Sequence, residues 1–486
     1  MSQILEQARL SARALADFGG HLFNPTVRLG ITGLSRAGKT VFITALVHGL
    51  VRGGRFPVFE ALSSGRIASA RLAPQPDDAV PRFDYEAHLR AMIEERRWPE
   101  STRQISELRV VIDYQSASGA MRTLTLDIVD YPGEWLLDLP LLDKSYEQWS
   151  AESLVQSRNG VRRAIAAPWH AHLATLDALK PAEENVAIES ARLFTAYLQA
   201  CRDERYAMSL LPPGRFLMPG DMAGSPALTF APLELSADSE PPAGSLWAMM
   251  RRRYGAYRDA IVRPFFREHF VRLDRQIVLA DALSAFNAGP DAVRDLQGAL
   301  VSILDCFRVG RGSILSALFS PRVDKILFAA TKADHLHHTG HDRLEAILRR
   351  MTERAIEKAN FSGAEVDVVA LAAVRATREG TARGEGGELP TIVGMAAPGE
   401  VAGGRTFDGK TEIAIFPGDL PDDPAMLFDQ KSELFRGLTY TSAQDSDYRF
   451  VRFRPPQLEQ VDGGNPALPH IRLDRALQFL IGDRLR

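Results

Sequence analysis

VRLGITGLSRAGKTVFITALVHGL, Val27 to Leu50, is the stretch whose reading decides the fold. It opens with a short apolar run of strand type and closes with an apolar run of helix type. Between them lies GLSRAGKT, Gly33 to Thr40, which matches G-x-x-x-x-G-K-[ST]. Strand, glycine-rich loop, helix is the context a phosphate-binding loop requires. The glycines let backbone N–H groups curl around phosphate oxygens, and the helix N-terminus adds partial positive charge. Lys39 is placed to reach β- and γ-phosphates, and the Thr40 hydroxyl to hold Mg²⁺. The candidate phosphate-binding residues are therefore Gly33, Ser35, Arg36, Ala37, Gly38, Lys39, Thr40 and Val41.

Working outward, ISELRVVIDYQ (Ile105–Gln115) and MRTLTLDIVDYP (Met121–Pro132) carry strand patterning and are joined by the turn-like SASG. They predict an antiparallel hairpin. Its second strand ends in Asp130-Tyr131-Pro132-Gly133. After a phosphate loop, a strand-end carboxylate positions Mg²⁺ and a glycine N–H three residues later can sense a γ-phosphate. Asp130 and Gly133 are the candidates, with Glu134 next to them.

KILFAATKADHL (Lys325–Leu336) is a buried-strand pattern ending in Thr331-Lys332-Ala333-Asp334, of the form [NT]-K-x-D. A carboxylate there can accept from both the ring N–H and the exocyclic amino group of guanine, whereas adenine offers no such donor pair on that edge. The Lys332 stem can lie over a base. Further on, EVDVVALAAVRAT (Glu365–Thr377) is another buried strand followed by small residues, with Ala372, Ala373 and Val374 where a backbone could approach a base.

In order and type, these motifs resemble the Ras-like GTPase superfamily. The strings RWPESTRQISELRV, DYPGEW, TKADHLHH and PHIRLDRALQFLIGDRLR resemble the bacterial YcjX family of stress-associated P-loop NTPases over most of the chain. The resemblance implies a Ras-like, Gα-like α/β fold with a large helical insertion, and Mg²⁺ and GTP or GDP as cofactors with ATP as the lesser alternative. It also implies an inner-membrane stress protein as partner and a cytoplasmic chain peripherally associated with that membrane. In such GTPases a threonine before the second strand completes the Mg²⁺ shell, and Thr102 stands there. Nearby Arg96, Arg97 and Arg103 are candidates for an arginine supplied in cis. The usual water-orienting glutamine is replaced by Glu134, which can act as a general base or point away and cap a helix; the departure favours slow intrinsic hydrolysis and keeps a binding protein with negligible turnover open. The serine-alanine-lysine of the last base-contacting loop is absent at Ala372–Val374. Three readings stay open: a GTPase, an ATPase whose TKAD is structural, and a nucleotide-gated binding module.

Length and composition bound the rest. The 486 residues allow three domains or one with insertions. Motif spacing favours a nucleotide-binding domain at 24–136, 272–380 and 466–486, a helical insertion at 137–271, and a β-rich insertion at 381–465. The last is read as opening on a glycine-dense loop (GTARGEGGELP) followed by strands at TIVGM, TEIAIFPG and DYRFVRFR. Residues 1–23 read as a helix without a basic, signal-like start. No run approaches ~20 apolar residues. Two cysteines and a net charge of −3 argue against a disulfide framework and against direct nucleic-acid binding. Lysines number eight against fifty arginines, yet two of the eight fall at motif positions, Lys39 and Lys332. The histidines after TKAD (His335, His337, His338, His341) read as solvated or capping. The arginine-rich stretch from Arg251 to Arg275 reads as a solvated helix face with aromatics on the core.

Overall fold

The computed structural model describes residues 25–34, 36–100, 104–235, 240–306, 323–361, 363–384, 387–402, 404–427, 450–458 and 466–486. The helix expected over 1–23, and the candidates Ser35, Thr102 and Arg103, lie outside the described residues. The chain is mixed α/β, built on a seven-stranded sheet of order β2-β3-β4-β1-β5-β6-β7. The strands are β1 (Thr26–Gly33), β2 (Ile67–Ala73), β3 (Ser106–Gln115), β4 (Met121–Asp130), β5 (Arg275–Ala280), β6 (Lys325–Ala330) and β7 (Glu365–Ala370). From β4 through β1 to β7 every pairing is parallel, while β2/β3 and β3/β4 are antiparallel.

Parallel strands are buried on both faces, which is why they read as continuous apolar runs. In β5, Ile277 and Leu279 join one core while Val278 and Ala280 join the other. Helices α1 (Lys39–Arg52) and α5 (Leu473–Ile481) cover the first face. Helices α3 (Pro290–Cys306) and α4 (His341–Phe361) cover the second, together with the helical block whose longest helix is α2 (Glu184–Arg202). That block shares one continuous core with the sheet. Tyr254, Tyr257, Phe265, Phe266 and Phe270 are buried in it, as expected of the arginine-rich stretch, whereas its Arg253 and Arg275 are buried and not solvated.

Two readings of the chain are corrected. The glycine-dense segment is not a loop: Thr377–Gly384 and Gly387–Met395 form an antiparallel hairpin, β8 and β9, with Gly384 opposite Gly387. Thr, Glu and Arg residues with strand character hide behind the glycine content. DYRFVRFR is not a strand over its described part. Residues 450–454 run extended, with one bridge, Phe453 to Ala396. Of the other two patterns, TIVGM lies within β9 and Glu412–Ile415 pairs with it. The edge strand β2, rich in Ala, Ser and Arg, had no strand signal.

Candidate functional site

All the motif segments leave the sheet at the C-terminal ends of its parallel strands, where ligand crevices form in open α/β sheets. The β1–β4 ladder sets Ile31 beside Asp130, and the β3–β4 ladder sets Ser106 opposite it. That register fixes the Asp130 carboxylate. Ser106 Oγ donates to its Oδ2 at 3.3 Å, and Lys39 Nζ donates to Oδ1 in an ion pair that is almost fully buried. Asp130 therefore sits behind Lys39. The Thr40 hydroxyl, also buried, donates to the Glu100 carbonyl at 3.3 Å, linking α1 to the chain just before Thr102. No side chain caps the N-terminus of α1, so its first-turn N–H groups face the loop.

A cavity of about 370 Å³ opens over these strand ends, within the ~300–1,000 Å³ range of small-molecule sites. Gly33 and Arg36 to Val41 line one end, with Gly133 and Glu134 beside them. Thr331, Lys332 and Asp334 line the other, joined by Ala372, Ala373 and Val374. So residues spread over three hundred positions meet in one cleft. Asp130 does not line it and acts only through its partners.

The DYPG glycine is pressed against the phosphate loop: a Cβ on Gly133 would lie 2.2 Å from the Gly33 carbonyl oxygen. At the far end, Lys332 Nζ donates to Asp281, a buried residue following β5. Asp334 Oδ2 accepts from Ala376 N at 2.8 Å, and Ala333 N donates to Leu371 O at 3.1 Å, which locks the TKAD turn to the small-residue loop. Arg36 and Lys332 both adopt left-handed φ values near +60°. Such strain costs of order 1 kcal/mol and gathers at functional sites. Among the described residues, five cationic side chains line the cleft (Arg36, Lys39, Arg202, Lys332, Arg452) against three carboxylates (Glu134, Glu204, Asp334), a balance suited to a polyanion.

Several lining residues carried no signal in the sequence. Trp98 and Pro99 come from the chain before Thr102; Arg202, Glu204 and Met218 come from the helical block; Arg452 and Phe453 come from the extended segment. That segment straps the cleft: Trp98 Nε1 donates to Phe453 O at 2.6 Å, and the Phe453 ring meets His335 edge-on at 5.3 Å. His335 is thus a buried cleft residue, whose imidazole pKa burial lowers, and not a solvated histidine as its sequence context suggested. His341 is buried too, while His338 is exposed and bonds Glu379 at 2.8 Å. Arg97 pairs with Glu95 at 3.0 Å and Arg96 donates to Pro455 O at 3.2 Å; neither lines the cleft.

Glu134 is the second residue of a 3₁₀ segment, Gly133–Asp143, that is buried over most of its length. Gly214 backs directly onto it, since a Cβ there would lie 2.1 Å from Glu134 O. Trp135 Nε1 donates to Met218 O at 3.1 Å, and the Arg215 guanidinium lies 3.3 Å from the Trp135 ring centre. Asp138 accepts from Gly214 N at 2.7 Å and from the Tyr257 hydroxyl at 2.5 Å. Burial pushes its carboxyl up to about 7. Cys201 and Cys306 are both buried. Among the described residues no helix is long and apolar enough to cross a membrane.

The family model described as YcjX-like family, DUF463, matches residues 27–485. A protein named Ras-like GTPase YcjX from Escherichia coli (strain K12) is 38% identical over 481 residues, covering 95% of this chain and 96% of the relative. Its namesake from Shewanella oneidensis (strain MR-1) is 34% identical, with 94% of each chain covered. On near-full-length identity at this level, the chain belongs to the YcjX-like family.

Proposed function

We propose that the chain is a Ras-like GTPase that binds GTP, hydrolyses it slowly with Mg²⁺, and works as a nucleotide-dependent switch. One observation carries the reading: the phosphate loop and the TKAD turn line opposite ends of one cleft of about 370 Å³. The names of its relatives point the same way.

In this reading Lys39 and the N–H groups around Gly38 neutralise phosphate charge, and Gly133 meets the γ-phosphoryl. The donor set at that end fits Mg²⁺, a hard cation that takes few protein ligands. It offers the Thr40 hydroxyl, with Thr102 as the expected second, while the Asp130 carboxylate, set behind Lys39, would act on the ion through water. When bound, the ion would supply positive charge to offset the negative charge that develops on the phosphate oxygens. Asp334, oriented by Ala376 N, selects guanine, and Ala372 to Val374 leave room for the base.

The ATPase reading has one observation in its favour: the polar atoms of TKAD already have structural partners, Asp281 for Lys332 and Ala376 for Asp334. Titration of the full chain with mant-GTP and mant-ATP separates the two. The guanine reading expects at least ~100-fold preference for GTP, lost in Asp334→Ala. Equal affinities, or an ATP preference untouched by that change, sink it. The resemblance to stress-associated relatives makes an inner-membrane stress protein the partner to test by pull-down in each nucleotide state.

A further inference from the structure

Resting on that reading of the cleft, we infer that Arg202, from the helical insertion, is a catalytic residue that stabilises the transferring γ-phosphoryl group. Arg202 ends α2, lines the cleft, and brings Nη2 to 3.0 Å from Glu134 Oε1. Its Nη1 also meets Met218 Sδ at 3.4 Å. A C-terminal arginine suits the dipole of its own helix, and that accounts for its residue type. It does not account for where the guanidinium goes.

The position is set by a chain of contacts to the phosphate loop. Glu134 follows Gly133, and Gly133 abuts the Gly33 carbonyl. Glu134 is in turn held from behind by Gly214. The guanidinium therefore lies at the γ-phosphoryl end of the cleft. Lys39 and Arg202 each face a carboxylate of the same short segment, Asp130 and Glu134.

The other cleft arginines are placed differently. Arg36 and Arg452 both reach Glu204 at the mouth, at 3.7 and 3.2 Å, and about half of each side chain is exposed. Arg202 is only 24% exposed and its acidic partner 8%.

The chemistry needs such a cation. The oxygen of water forms a bond to the γ-phosphorus while the bond from that phosphorus to the β–γ bridging oxygen breaks. The bonding pair leaves with the β-phosphate, and the water proton passes to a γ-phosphoryl oxygen, giving inorganic phosphate and GDP. Arg202 gains and loses no proton. Its N–H fork lowers the energy of the equatorial and leaving oxygens as charge spreads over them. It also offsets the repulsion that a glutamate at position 134 would exert on the same oxygens.

The test uses the full chain with Mg²⁺, single-turnover GTP hydrolysis, and titrations with mant-GTP and mant-GDP. Arg202→Ala is expected to slow hydrolysis at least ~100-fold while mant-GDP affinity stays within about threefold. Arg202→Lys keeps a cation for Glu134 but lacks the planar fork, and is expected to recover less than about a tenth of the rate. A rate within threefold of wild type in Arg202→Ala overturns the proposal, as does full recovery in Arg202→Lys, which would reduce Arg202 to an anchor for Glu134. An equal loss of mant-GDP affinity and rate overturns it as well. If Arg202→Ala fails to fold, Arg202→Lys alone decides on the same criterion. A wild-type chain that does not bind mant-GTP overturns the reading of the cleft and Arg202 with it. Intact mant-GTP binding with an unaffected rate in the variant removes Arg202 alone.

Discussion

Gly133 and Gly33 are in backbone contact across the cleft floor, and a methyl group on Gly133 would lie 2.2 Å from the Gly33 carbonyl oxygen and 2.6 Å from its carbon. Both obstacles are main chain, fixed by the β1 ladders, so neither can swing away. Gly133→Ala must therefore push the segment after β4 off the phosphate loop. The expected result is a loss of about 2 kcal/mol or more in stability and at least ~10-fold in mant-GTP affinity. A variant with wild-type urea midpoint and affinity would show that the two loops are not in register during binding.

Lys39 and Asp130 form a buried pair in which each charge depends on the other. Lys39→Met removes the phosphate contact and leaves the buried Asp130 carboxylate without the Lys39 charge. Mant-GTP affinity is expected to fall ~100-fold, the scale of a charged hydrogen bond. Stability is expected to drop by about 3 kcal/mol. Lys39→Met with Asp130→Asn removes both charges, so stability should return while affinity does not. Parallel recovery of both would mean that Lys39 serves the fold alone.

The parts of this site legible in the sequence are those that local spacing encodes. Strand ends followed by GLSRAGKT, DYPG and TKAD announce a backbone geometry within a dozen residues, and the ladders then bring them together. Arg202 had no such local cue. It is one arginine among fifty, and only tertiary packing of the helical block aims it at Glu134. The same holds for Trp98 and Phe453, joined across 355 positions by one hydrogen bond. Strand β2 was missed because an edge strand needs little apolar content, and the β8–β9 hairpin because its glycines mimic a loop.

Gly214 couples the helical block to the cleft, since its Cα packs on the Glu134 main chain with no room for a side chain. Gly214→Ala would lift Gly214 from Glu134 and strain its N–H bond to Asp138. Single-turnover hydrolysis is expected to fall at least ~10-fold, with mant-GDP affinity near wild type, because the phosphate loop is untouched. Equal losses in both would place the damage in the fold as a whole.

Asp138 gives the docking of that block a pH dependence. Its carboxyl is buried between Gly214 N and the Tyr257 hydroxyl, and burial raises its pKa to about 7, from ~3.9 in an unfolded chain. A raised folded-state pKa means the native state holds the proton where the unfolded state has lost it. The contribution to stability is therefore complete below pH ~4, declines as pH rises toward 7, and is gone above that. Asp138→Asn keeps an acceptor for Gly214 N and cannot ionise, and its amide can donate to the Tyr257 oxygen. The variant should match wild type near pH 4 and exceed it by a few kcal/mol at pH 8, with the gap opening between those values. Urea midpoints for both chains across pH 4–8 isolate this group, because every other titration cancels in the difference. A gap that does not change with pH would mean that Asp138 is ionised in the fold, with Tyr257 and Gly214 offsetting its burial.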